Sequence, residues 1–114
     1  TQGSFSWMGR DSSKPGRPSG ERWVLHASEE FSRVNLESTA ETINELLSSE
    51  FEQRFGGKRA YSTVHRWRYA SAVRQDGALF EWDEEYALGL CGDALAGEGV
   101  EAAWSSAMAL SEVL

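Results

Sequence analysis

Leu88-Gly89-Leu90-Cys91-Gly92-Asp93, followed by Gly97-Glu98-Gly99-Val100-Glu101, is the stretch on which the fold turns. It reads as a short apolar strand, a Gly-Asp turn and then a glycine-loosened entry into an Ala-rich helix that runs to the C-terminus. Such an arrangement can hold a sugar-phosphate ligand. The Asp93 carboxylate accepts from hydroxyls, while the amides of a first helical turn lack intrahelical partners and donate to anionic or carbonyl oxygens. The helix is expected from about residue 99, with Val100, Trp104, Ala107 and Met108 as its apolar stripe. Cys91, on the apolar strand, reads as a small buried residue with nothing nearby to activate a thiol.

Working outward, residues 78–82 and 86–91 read as two short strands around the acidic turn Asp83-Glu84-Glu85. Residues 61–70 read as the longest strand. Alternation places Tyr61, Thr63, His65, Trp67 and Tyr69 on one face and Val64, Arg66 and Arg68 on the other. A turn is expected at Asp76-Gly77. Before the long strand, Ser38-Thr39-Ala40-Glu41 has the capping-box spacing of a hydroxyl followed three residues later by Glu. Ile43, Leu46, Leu47 and Phe51 then recur at helical spacing, so an amphipathic helix is expected over 39–55, ended by Gly56-Gly57. Phe5-Ser6-Trp7-Met8 and Arg22-Trp23-Val24-Leu25-His26-Ala27 read as strands able to pair as a hairpin. Residues 9–20 between them hold both prolines and read as a long, mobile connection.

The order ββαβββα predicts an α+β fold around a mostly antiparallel sheet with two main helices. At 114 residues there is room for one compact unit. Within it, residues 1–91 form the α+β region and 92–114 the turn and terminal helix.

Charge is unevenly spread. Residues 1–74 hold all eleven Lys and Arg, while residues 75–114 hold nine acids and no base. The net charge of −7 disfavours nonspecific binding to nucleic acid or to an anionic membrane. It also means that an anion held near residues 92–101 must rely on backbone amides. One cysteine excludes an internal disulfide, and His26 and His65 give no zinc spacing. A reducing cytoplasm is the simplest compartment for such a chain. No Ser-His-Asp arrangement, paired-carboxylate site or phosphate loop is present.

Several stretches together resemble a known family. His65-Arg66-Trp67-Arg68-Tyr69-Ala70, then Leu90-Cys91-Gly92-Asp93, then Gly99-Val100-Glu101-Ala102-Ala103-Trp104, is similar to the C-terminal part of renalase-like flavoproteins, FAD-dependent oxidases related to the amine oxidases. Trp23-Val24-Leu25-His26-Ala27-Ser28 with Glu30-Phe31-Ser32 resembles the preceding strand of that family. The family's GxGxxG turn lies at the N-terminus of the full enzyme and has no counterpart here. The resemblance therefore implies the end of a larger protein, comprising part of a substrate domain and the return to the FAD domain. An opening at Thr1 without methionine fits that expectation.

The resemblance implies that Gly92 and Asp93 lie along the ribityl-pyrophosphate part of FAD. It implies further that Gly99, Val100, Glu101 and Ala102 open a helix toward the isoalloxazine ring. Relatives usually carry glycine where this chain has Ala102, and often where it has Ala107. Glu101 opposes a phosphate at that helix end, which makes a neutral flavin edge the expected neighbour. His65, Trp67 and Arg68 are substrate-side candidates. The complete enzyme would move a hydride from a reduced dinucleotide-type or amine substrate to flavin, with oxygen as acceptor. The 114 residues alone are expected to be inactive, and their partner is the missing flavin-binding half. The alternative is an independent acidic α+β domain that binds a protein or small ligand, or self-associates, through an exposed aromatic face.

Overall fold

A computed structural model describes residues 3–73 and 77–114. It is α+β, with two small antiparallel sheets and four helices among the described residues. The chain forms two compact units, Thr1–Arg66 and Trp67–Leu114. The expected turn residue Asp76 lies outside the described residues.

In the first unit, β1 (Phe5–Arg10) pairs antiparallel with β2 (Trp23–Ala27), from Phe5 opposite Ala27 to Arg10 opposite Trp23, with a bulge between Phe5 and Trp7. The hairpin reading holds. The loop between them is tied down: the Asp11 carboxylate meets Lys14 at 3.1 Å and Arg17 at 3.5 Å. Arg22 donates to the carbonyls of Pro18 and Ser19. The hydrogen bond from Lys14, with Arg17 nearby, holds the Asp11 carboxyl below its ordinary pKa.

A helix absent from the sequence reading follows as α1 (Glu29–Val34). The Ser28 hydroxyl caps it by accepting from the Phe31 amide, and Glu29 and Glu30 suit the positive end of its dipole. Next comes α2 (Ala40–Phe55), within one residue of the expected span. Its cap is Thr39, whose hydroxyl accepts from the Thr42 amide at 3.2 Å. Ser38 instead donates to Asn35. Gly56, at φ 75°, closes the helix by donating to the Glu52 carbonyl. Ile43 and Leu47 are buried, and Phe51 and Phe55 meet Trp23 of β2 at ring separations of 5.4 and 6.0 Å. On the outer face Glu45 pairs with Arg59, whose hydrogen bond lowers the Glu45 pKa.

Residues 61–70 form no strand, which corrects the order ββαβββα to ββααββαα. A strand needs a backbone partner, and this segment bonds instead to helical and loop groups. The Ser62 carbonyl accepts from Asn44 at 3.5 Å, the Ser62 hydroxyl accepts from Ser48 at 3.4 Å, and Arg66 donates to the Ser38 carbonyl. Alternation persists only over 61–65, where Ser62 and Val64 are half-buried between exposed neighbours; residues 65–70 are all exposed, Arg66 and Arg68 with Trp67 and Tyr69.

In the second unit, β3 (Glu81–Asp83) pairs with β4 (Leu88–Leu90) in the register Glu81–Leu90, Trp82–Gly89, Asp83–Leu88. These are the two expected strands, each shorter than its apolar run. The loop 84–87 closes with Ala87 at φ 49°, a left-handed residue that costs about 1 kcal/mol without glycine. The Tyr86 amide donates to the Asp83 carboxylate across it. A short α3 (Asp93–Ala96) and the terminal α4 (Val100–Ser111) complete the chain. No helix among the described residues is long and apolar enough to cross a membrane.

The stripe expected on α4 is not the face it buries. Ser106 and Leu110 are buried, with Ala102, Ala103 and Ala109 partly covered, whereas Val100, Trp104, Ala107 and Met108 are exposed. Close approach decides the choice. A methyl placed on Gly89 of β4 would stand 2.9 Å from a Leu110 methyl, so helix and sheet touch where both sides are small or bare. Cys91 is exposed as well, because β4 ends at Leu90 and a two-stranded sheet gives the next residue no covering layer.

Candidate functional site

The Gly-Asp turn forms as the sequence suggests and belongs to the second unit. Gly92 is the N-cap residue of α3, and its carbonyl accepts from the Leu95 amide at 3.2 Å. One Asp93 carboxylate oxygen accepts from the Ala94 amide at 2.9 Å, while the Asp93 carbonyl accepts from the Gly97 amide at 2.8 Å. Asp93 is exposed, so its second oxygen can receive a hydroxyl.

Gly99, at φ 92°, opens α4 with no side-chain cap. The amides of Val100, Glu101 and Ala102 are the first-turn donors of that helix. A Cβ built on Gly92 or on Gly99 would meet nothing within 4 Å. Only glycine adopts the Gly99 conformation readily, and its bare backbone admits a flat ligand to contact distance. The Ala102 methyl is 3.7 Å from where a Gly97 Cβ would stand, so it packs back toward the turn before α4.

Beside this opening lies a cleft of about 480 Å³, lined by Val100, Glu101, Trp104 and Ser105. Val100 is 86% exposed and Trp104 65% exposed. The wall is apolar with Glu101 as its acid, and no cation lies between residue 77 and the C-terminus. Such a surface repels a phosphate group and can receive neutral hydroxyl and carbonyl groups.

The six cofactor-side candidates Gly92, Asp93, Gly99, Val100, Glu101 and Ala102 thus share one unit. Of the substrate-side candidates, exposed Trp67 and Arg68 begin that unit, whereas exposed His65 belongs to the first. Sequence reasoning missed Ser106, the most deeply buried side chain among the described residues at 0% exposure. Its hydroxyl accepts from the Gly92 amide at 2.9 Å and donates to the Leu79 carbonyl at 2.5 Å. The signal that could have found it is the run of small residues Ala102, Ala103, Ser106 and Ala109, the spacing of a closely packed helix face.

No family model matches the chain.

Proposed function

We propose that this chain supplies the C-terminal wall of the flavin site in a FAD-dependent oxidoreductase of the renalase-like, amine-oxidase-related kind. One observation carries the reading: α4 bears a second apolar face, Val100, Trp104 and Met108, beside a helix opening that glycine leaves bare. A helix apolar on two sides is characteristic of one covered on two sides. The resemblance in residues 65–70, 90–93 and 99–104 indicates that FAD and the flavin-binding half of the protein are what cover it.

The flavin, when bound, supplies the hydride-accepting chemistry. The chain's own residues bind and orient. The Asp93 carboxylate accepts from a ribityl hydroxyl, and the amides of Val100, Glu101 and Ala102 donate to a carbonyl edge. Val100 and Trp104 exclude water from that edge. Glu98 and Glu101 keep phosphate groups away from the helix end. Trp67 and Arg68, in the same unit, are the groups through which a reduced dinucleotide or amine would be recognised.

The test is the complete reading frame expressed as one protein. It should retain yellow flavin through gel filtration, and Gly99→Val should lower the retained flavin at least tenfold. The 114 residues alone should retain none. A colourless complete protein would overturn the flavin reading, and flavin held by the 114 residues alone would overturn the assignment of a single wall.

A second reading is favoured by the exposure of Tyr61, Trp67 and Tyr69, the last 97% exposed. On that reading the chain is an independent acidic domain whose aromatic surface binds a partner. The coding context separates the two: a strand-GxGxxG-helix upstream in frame supports the flavoprotein, and a start codon immediately before Thr1 supports the independent domain.

A further inference from the structure

The β3–β4 ladder stops one step short of where its register leads. Glu81 faces Leu90 and Asp83 faces Leu88, so the same register would next set Leu79 opposite Gly92. In an antiparallel ladder alternate facing pairs are joined by direct bonds from amide to carbonyl. Here the Ser106 hydroxyl stands between them, accepting from the Gly92 amide and donating to the Leu79 carbonyl. A hydroxyl has one proton to give, so its donation to Leu79 leaves its lone pairs for Gly92. The bond runs through α4 instead of across the hairpin, and the hairpin ends are held apart by the width of one oxygen.

We infer that Ser106 is the positioning residue of the Gly92–Asp93 turn, a hydroxyl inserted just beyond the end of the ladder that turns the chain at Gly92, after β4 has ended at Leu90, and so presents Asp93. Its buried place explains why a polar group is kept on a face otherwise made of alanine and leucine. Removing it takes the one hydroxyl that serves both the Gly92 amide and the Leu79 carbonyl, at a partly buried position where a lost partner is costly. The consequence for a flavin rests on the reading above, whereas the consequence for the turn does not.

The experiment is amide hydrogen exchange by NMR on the 114-residue chain carrying Ser106→Ala and, separately, Ser106→Cys, which keeps the volume but accepts weakly. In the Ala variant the Gly92 amide should exchange roughly tenfold faster or more. Leu95 and Gly97, which bond to the Gly92 and Asp93 carbonyls, should follow. The amides of Ala109 and Leu110 should stay within about twofold of the wild type, a pattern that mere loss of packing would not give. The Cys variant should be intermediate, and it decides by the same criteria if the Ala variant does not fold. Unchanged protection at Gly92, or equal loss along α4, overturns the inference. A parallel measurement of flavin retained by the complete protein reports on the cofactor separately. A colourless wild type removes the flavin reading and leaves the exchange result to judge Ser106.

Discussion

α2 and α4 are both amphipathic on paper, yet only α2 packs with the face its sequence announces. In α2 the apolar positions form one stripe, the opposite face is charged, and Thr39 and Gly56 fix both ends. Of the expected stripe Ile43 and Leu47 go inside and Phe51 is half-buried, while Leu46, at its edge, stays exposed. In α4 the apolar residues run around most of the circumference. The large ones, Val100, Trp104 and Met108, compete with a face of alanines, Ser106 and Leu110. The smaller face wins because it alone can approach Gly89 and because Ser106 finds two hydrogen-bonding partners there. Hydrophobic mass predicts burial only when a helix has one partner. Where it has two, shape decides which partner takes which face.

The comparison can be broken most forcefully at the cores. Leu47→Ala and Leu110→Ala should each cost about 2–5 kcal/mol in urea unfolding, since each removes one of the few buried apolar side chains among the described residues. An equally small loss for both would mean that neither face is the packed one. Next in size, Gly89→Ala places a methyl 2.9 Å from Leu110 and should cost about 1–3 kcal/mol by overpacking. A neutral result would remove the close approach as the reason α4 turns its small face inward. The smallest effect sharpens the contrast. Trp104→Ser should change stability by no more than about 0.5 kcal/mol, because the indole is largely exposed, while weakening the binding of an apolar dye to the chain. A large loss of stability would place Trp104 in the core after all.

The same contrast explains how much of the molecule was legible. Local signals were read correctly where they are self-sufficient: the span of α2, the closing glycine at Gly56, the hairpin of β1 and β2, the acidic turn between β3 and β4, and the glycine-opened start of α4. The cap moved by one residue because Ser38 and Thr39 are both competent and Ser38 bonds to Asn35. Misreadings arose where a partner was needed. Residues 61–70 have the alternation of a strand, but alternation describes an extended chain, and only a neighbouring backbone makes it a sheet. Ser28-Glu29-Glu30-Phe31 carries a legible helix start, a serine cap followed by two acids at the positive end of the dipole. At the candidate site, Gly92 and Asp93 were visible as a turn. Ser106 was not, because nothing local ties it to residues 79 and 92.

The two hairpins also differ in how soon they can form. β1 and β2 are joined by residues 11–22 and β3 and β4 by residues 84–87, a loop about three times longer in the first case. By chain statistics that ratio raises the entropy of closure by about 1 kcal/mol. The Asp11–Lys14–Arg17 contacts and the Arg22 bonds to Pro18 and Ser19 offset part of this, but only after the loop has bent. The acidic hairpin has the advantage in closure entropy, and the left-handed turn at Ala87, at about 1 kcal/mol, returns it: a short loop exchanges entropy for backbone strain.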